Sequence, residues 1–441
     1  MGKRILILAG AAYGERMSSP GIRAHHMARV LVERLPDAWV TLAVPGGNVQ
    51  GQTANAPCRV VPYYTKLGAL REMAKHDIII ATGFPNHALL LFPWKTFVLD
   101  FFTTYLLEWM EASKDDPAFD PLRRGAWLSR SRKLLNVQLT FADYVLAASE
   151  RQRDAHLGSM MSLGLVSPRS HTKDPSLHRL IGVAPHGIRN DPLEHTKQVV
   201  KGRYGGIKET DKLILWNGGI VSWYDPNTLI RAVGELSRER DDIKLLFVGA
   251  SYPGLENLGM GTRFRQAVEL SRELDVYNRN VFFDIGWVPY EEIKNYTLEA
   301  DVSACTYSEG METNFSLRTR FLDIFWAEVP LICTKGDVLA DMVDEHCLGI
   351  TVHERDVAGV TAAIRRLVDD RDYIEECKRN IRAIKGCLSW EVALEPLITF
   401  CESGESIARP KSERLWPLAS RIVGYEVTRR IRTLRSRLLR V

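Results

Sequence analysis

The chain has 441 residues, 45% hydrophobic and 25% charged, the composition of a globular protein able to bury its core without covalent staples. Seven cysteines (Cys58, Cys305, Cys333, Cys347, Cys377, Cys387 and Cys401) form no C-x-x-C pair, which argues against a disulfide framework or a thiolate metal site and for reduced thiols in a reducing compartment. The net charge is +4, yet residues 409–441 hold ten Arg/Lys against two Glu, so the rest of the chain carries −4 and lacks the overall basic character of a nucleic-acid binder.

The apolar run Ile5–Gly10 is too short for the core of a signal peptide, and polar residues follow it at once. It reads instead as a buried first strand over 3–9, leading through a Gly/Ser/Pro loop at 10–21 into a helix over 22–35. Further strands are predicted at 38–44, 59–62, 78–82 and 97–101. The apolar stretch 78–102 is interrupted by Asn86, His87, Lys95 and Asp100, so it reads as buried strands and not as a membrane span. The pattern then repeats: a strand at 213–216, a loop at 217–226, a helix at 227–238, and strands at 243–249, 281–284, 302–306 and 330–334. Short apolar strands alternating with amphipathic helices predict an α/β protein with two Rossmann-like, doubly wound parallel sheets. The predicted domains are 1–190, 191–402, and a linker with a basic amphipathic helix over 403–441. In that last segment Leu418, Ile422, Tyr425, Leu434 and Leu438 form the apolar side, and the arginines suit an anionic membrane surface. Packing on the first domain and a solvated face are the alternatives.

Three segments carry candidate chemistry. In the first loop, Gly21, Arg23 and His25 stand where a strand gives way to a helix, a place where free N–H groups attract phosphate; an ordinary turn is the bland alternative. Asn217-Gly218-Gly219 occupies the equivalent point of the second half. The segment 307–330 holds Glu309 and Glu312, then Arg318 and Arg320, then Asp323 at the start of an apolar helix. Arginines bind phosphate oxygens bidentately, and a carboxylate accepts hydrogen bonds from ribose hydroxyls. Helix capping and a solvated arginine face are the competing explanation. Asp370-Arg371-Asp372 reads as a turn and cap, not a metal site. No G-x-G-x-x-G motif is present, which argues against a Rossmann oxidoreductase.

In order and spacing, several segments resemble family 4 retaining glycosyltransferases. They are Ser19-Pro20-Gly21-Ile22-Arg23, the stretch 142–153, Pro185-His186-Gly187-Ile188, Gly286-Trp287-Val288-Pro289, Glu299-Ala300-Asp301-Val302 and 327–330. The stretches WNGGIVSWYDPNTLIRAV, GWVPYEE and ETNFSLRTRFLD resemble a bacterial branch found among surface-polysaccharide enzymes. The resemblance spans roughly residues 3–400. It implies the GT-B fold, two Rossmann-like domains facing a cleft. It also implies transfer of a sugar, with retention, from a nucleotide-sugar co-substrate to a glycan or lipid-linked acceptor at the cytoplasmic side of the membrane, with no metal and no separate cofactor.

Carried over by position, Asp323 matches the family carboxylate on the donor ribose, with Asp in place of Glu. The spacing to the first family carboxylate is broken, and Glu312, then Glu309, are its candidates. The positions of the usual diphosphate-binding Arg and Lys fall on Gly219 and Tyr224, which leaves Arg318, Arg320 and Lys335 to neutralise the leaving phosphate. Trp287 and Val288 would hold the base. Asp100, at a strand end near the family's catalytic-region histidine, is the acceptor-side candidate. A non-catalytic binding module and a nucleotide-sugar epimerase are the other readings.

Overall fold

A computed structural model describes residues 2–15, 17–50, 56–84, 86–114, 119–249 and 260–413. The chain forms two units. Unit 1 takes Met1–Leu106, Pro117–Pro185 and Ala393–Val441, and unit 2 takes Leu107–Asp116 and His186–Val392. The predicted basic helix over 417–440 lies outside the described residues.

Unit 1 contains β1 (Arg4–Leu8), β2 (Tyr13–Gly14), β3 (Trp39–Pro45), β4 (Val49–Gln50), β5 (Arg59–Tyr63), β6 (Ile78–Ala81), β7 (Thr96–Phe101), β8 (Tyr144–Ala147) and β9 (Ile181–Val183). Seven of them form one parallel sheet in the order β5-β3-β1-β6-β7-β8-β9, and β2 pairs with β4. Strands such as RILIL in β1 and IIIA in β6 are buried along nearly their whole length, as expected where helices cover both faces of a sheet. The first helix, Ser19–Arg34, has Pro20 in its first turn, where the missing N–H costs nothing. The chain ends its described course in the same unit. Phe400, on the helix Glu395–Ser403, stacks on Tyr144 with ring centres 4.5 Å apart, and Lys3 Nζ donates to the Cys401 carbonyl at 2.8 Å.

Unit 2 contains β10 (Lys212–Asn217), β11 (Ile243–Val248), β12 (Val281–Asp284), β13 (Val302–Cys305), β14 (Leu331–Thr334) and β15 (Gly349–Val352), in the parallel order β12-β11-β10-β13-β14-β15. Four of its helices start on aspartate caps, Asp225, Asp337, Asp356 and Asp370. Asp225 accepts from Thr228 N before Pro226–Leu236, and Asp356 from Gly359 N before Val357–Asp369. Asp370 accepts from Tyr373 N at 3.1 Å to cap Arg371–Ile384, the cap role read from the Asp370-Arg371-Asp372 triplet. At the centre of the core, Trp216 on β10 is fully buried against Phe247, Tyr224 and Phe321.

The strands predicted from the alternating pattern are all present. Those not predicted are β2 and β4, of two residues each, and β8, β9 and β15, of three or four. In each sheet the strand order reverses once, between β1 and β6 and between β10 and β13. The loops that leave such neighbouring strands diverge, so each reversal opens a crevice at the carboxyl ends of the strands, where ligands bind in open α/β sheets. In unit 2 those loops are Gly218–Asp225 and the segment that begins at Thr306. Among the described residues no helix is long and apolar enough to cross a membrane.

Candidate donor site in unit 2

The loop after β10 is shaped by one glycine. Gly218 has φ +108°, and a Cβ there would lie 2.4 Å from Arg320 Cδ. Only glycine reaches this conformation without strain and leaves the space that Arg320 occupies. Arg320 Nη1 donates to the Gly219 carbonyl at 2.8 Å, and its guanidinium lies 5.6 Å from the centre of the Tyr224 ring. A half-buried cation from the segment after β13 is thereby seated on the glycine loop after β10, at the reversal point of the sheet.

The neighbouring arginine has a different environment. Arg318 is 5% exposed and forms a two-pronged pair with Glu312, Nη1 to Oε1 at 2.9 Å and Nη2 to Oε2 at 2.8 Å. Its Nε lies 3.5 Å from Asp337 Oδ2, and its face lies over Tyr307 and Tyr224. Glu312 also accepts from Ser316 Oγ at 2.6 Å. Asp337 caps the helix Val338–His346 through Ala340 N, and burial, opposed by Arg318, pushes its carboxyl up to about 6. Arg318 is therefore held by two buried carboxylates, and Glu312 by Arg318 and Ser316. The structure brings both sequence candidates together as an internal ion pair.

Asp323 opens the short helix Asp323–Trp326. Its carboxyl is pushed up to about 6 by burial, an effect Arg189 opposes and Asp191 reinforces. Among the described residues no group donates a hydrogen bond to it. Trp287 and Val288 are half-buried in the loop after β12, with Val288 packed against the cluster that includes Leu215, Leu246, Val248 and Phe282. Glu309 is exposed. Its N–H donates to Glu354 Oε2 at 3.0 Å, and its carboxylate lies 3.9 Å from His353. Lys335 follows β14, exposed, with its ammonium 3.9 Å from Asp344.

The unit 1 candidates form a separate structural group. A Cβ on Gly21 would lie 2.3 Å from the Ala12 carbonyl oxygen, so this glycine lets the first helix pack against the preceding loop. Arg23 and Asp100 are both buried and joined by three contacts of 2.7 to 3.1 Å. Arg23 also donates to the carbonyls of Ala184 and Pro185, each at 2.9 Å, tying the end of β7 to the chain leaving β9. His25 Nδ1 and the Tyr13 hydroxyl are 3.0 Å apart.

Two residues emerge here that sequence reading passed over. Arg189, 5% exposed, lies over the rings of Tyr290 (4.8 Å) and Trp326 (5.5 Å). Glu108, on the helix Tyr105–Ala112, has its carboxyl pushed up to about 7, first by burial and then by the nearby charge of Glu312, against Arg318. Neither carries a local motif. Arg189 reads as part of a polar stretch, and Glu108 stands about 200 positions before its charged neighbours.

Residues 203–384 match the family described as Glycosyl transferases group 1. No curated protein matches the chain. Among solved structures, sucrose-phosphate synthase from Thermosynechococcus elongatus is similar at 15% identity, over 91% of this chain and 99% of that one, with a TM-score of 0.60. HepE from Anabaena, crystallised with UDP-glucose, is similar at 13% identity over 91% and 100%, with a TM-score of 0.61. WaaG, a glycosyltransferase involved in lipopolysaccharide biosynthesis, is similar at 13% identity over 90% and 98%, with a TM-score of 0.56. The chain thus has the GT-B fold and, over residues 203–384, matches the glycosyl transferases group 1 family.

Proposed function

We propose that this protein is a retaining glycosyltransferase that moves a hexosyl group from a nucleotide sugar to a glycan or lipid-linked acceptor in cell-envelope polysaccharide biosynthesis, at the cytoplasmic face of the membrane. The observation that carries the reading is Arg320 seated on the Gly218–Gly219 loop, with the unpartnered carboxylate of Asp323 three residues further along the chain. The group 1 match over this unit supports it. So do the UDP-glucose complex of HepE and the role of WaaG, each a structural relative.

In this reading the donor diphosphate lies beside the Gly218–Gly219 turn, where Arg320, filling the space a Gly218 side chain would take, stabilises the charge that grows as the diphosphate departs. One preorganised donor at such a charge contributes about 3–4 kcal/mol. Asp323 accepts from the ribose hydroxyls, and the backbone at Trp287 and Val288 meets the base. Glu309, exposed after β13, is the carboxylate that reaches the donor sugar, while Glu312 shapes the loop through Arg318. The leaving phosphate takes the acceptor proton on the face from which it departs, so the protein supplies position and charge and needs no strong base. The basic segment 417–440 brings the enzyme to an anionic surface that presents the acceptor.

The test is a thermal-shift and turnover screen against UDP, GDP, TDP and ADP sugars, with the natural protein and Arg320→Ala. Stabilisation by one nucleotide with slow sugar release, both lost in the variant, names the donor. No shift with any nucleotide sinks the reading and favours a non-catalytic GT-B binding module. Interconversion of the donor sugar without transfer favours an epimerase.

A further inference from the structure

Arg189 occupies an unusual place for a cation. The segment that bears it is fixed on both sides. Ile188 N donates to the Leu388 carbonyl at 2.8 Å, a Cβ on Gly187 would lie 2.6 Å from Trp390 Cα, and Trp326 Nε1 donates to the Asp191 carbonyl at 2.8 Å. Arg189 is 5% exposed, its guanidinium is packed against Tyr290 and Trp326, and among the described residues its Nη1 has no hydrogen-bond partner. Its two ion-pair partners are long and more exposed, Asp191 at 3.4 Å and Glu291 at 3.6 Å. A buried, incompletely bonded cation is costly unless an opposite charge faces it. Trp326 and Asp323 are the last and first residues of one four-residue helix, so the ring that floors Arg189 stands within one helical turn of Asp323.

We propose that Arg189 is a positioning residue for the donor site: without bonding Asp323, its field keeps that carboxylate ionised in a partly buried place, so that it can accept from a ribose diol. This rests on the reading of Asp323 as the ribose carboxylate. The groups that face Asp323 are Arg189 and Asp191 from the segment after β9 and Tyr290 from the loop after β12, with Glu291 paired to Arg189. Of these only Arg189 favours the ionised form. Burial and Asp191 oppose it, and the carboxyl settles at about 6. Loss of the cation moves its titration further upward, toward or past neutral pH, where a protonated acid would donate to a hydroxyl and no longer accept both protons of the diol.

The experiment has two arms on the full chain. In the first, carbon-13 labelled aspartate is titrated by NMR without ligand, and the Asp323 signal is identified by its loss in Asp323→Asn. Arg189→Gln is expected to raise the Asp323 midpoint by about one pH unit or more, and Arg189→Lys to restore most of the shift. An unchanged midpoint in Arg189→Gln overturns the proposal. Should that variant fail to fold, Asp191→Asn, which frees the guanidinium and removes a like charge, is expected to lower the midpoint, and no change there overturns it equally. In the second arm, UDP, GDP, TDP and ADP sugars, whose doubly esterified diphosphate keeps its charge throughout, are titrated at pH 5.5 and 7.5. The nucleotide that binds is expected to bind several-fold more tightly at the higher pH, a difference absent in Asp323→Asn. If Asp323→Asn binds every nucleotide as the natural protein does while the NMR linkage stands, the ribose reading fails and the Arg189–Asp323 coupling survives it.

Discussion

Arg320 donates from Nη1 to the carbonyl of Gly219 at 2.8 Å, which places a cation from the segment after β13 on the glycine turn after β10. At this turn the family resemblance led to uncharged residues, Gly219 and Tyr224, where a positive charge was wanted. The fold provides the charge from elsewhere in the chain. Arg320→Ala is expected to lower donor turnover by about 10²- to 10³-fold, the cost of removing one preorganised donor from a departing charge. Arg320→Lys should restore only part, because an ammonium lacks the planar fork. Steady-state kinetics with the donor named by the nucleotide screen checks both. Turnover of Arg320→Ala within a few-fold of the natural protein would remove Arg320 from the reaction.

Gly218→Ala tests the same place from the other partner. The added methyl lies 2.4 Å from Arg320 Cδ, and φ +108° is a region that L side chains rarely adopt. The variant is expected to lose about 1–3 kcal/mol of stability from backbone strain and to lose donor affinity by displacing Arg320. Because both substitutions act on one guanidinium, Gly218→Ala with Arg320→Ala should cost less in affinity than the sum of the two single changes. Strict additivity would mean that the glycine serves the backbone alone.

How much of this was readable from residues alone differs from place to place. The doubly wound sheets were legible because runs such as KLILWN and IKLLFV are short, apolar and bounded by turn residues. The glycine pair at Gly218–Gly219 was legible for the same reason. The sequence could not sort Arg318 from Arg320. They are two residues apart and chemically identical, and what separates them is Asp337, contributed from beyond β14 to hold Arg318. Arg189 was invisible because its burial depends on Tyr290 and Trp326, both about 100 or more positions away. Asp100 illustrates the limit differently. A strand-end carboxylate suggests chemistry, but its partner Arg23 lies on a helix 77 positions earlier and occupies both oxygens.

The Arg318–Glu312 pair should behave as a structural element. Arg318→Met leaves Glu312 and Asp337 buried without their cation, which is expected to destabilise unit 2 by about 3–5 kcal/mol. Replacing the pair together, Glu312→Leu with Arg318→Met, removes one of the stranded charges and should recover part of that loss. Urea unfolding of the two variants decides it. A double variant no more stable than Arg318→Met would show that the pair contributes attraction well beyond the cost of burying it.

The raised carboxyls of unit 2 set a direction for its response to pH. Glu108 titrates at about 7, and Asp323 and Asp337 at about 6, against ordinary values of 4.5 and 3.8. In each case burial is the first cause, so the fold favours the protonated form and the folded state holds more protons than the unfolded one between the two values. Stability contributed in this way is fully present below the unfolded pKa and is lost as pH rises through the folded one. The unfolding midpoint of unit 2 is therefore expected to fall between roughly pH 4 and pH 7, the upper part of that fall belonging to Glu108. Glu108→Gln, neutral at every pH and close in size, should flatten the curve between about pH 6 and pH 7 and make it shallower below pH 6, where Asp323 and Asp337 still contribute. Urea midpoints measured at half-unit intervals in both proteins separate the contributions. A natural protein whose midpoint rises from pH 6 to pH 8 would mean that Glu108 is ionised at lower pH than its burial dictates, with Arg318 and not Glu312 controlling its charge.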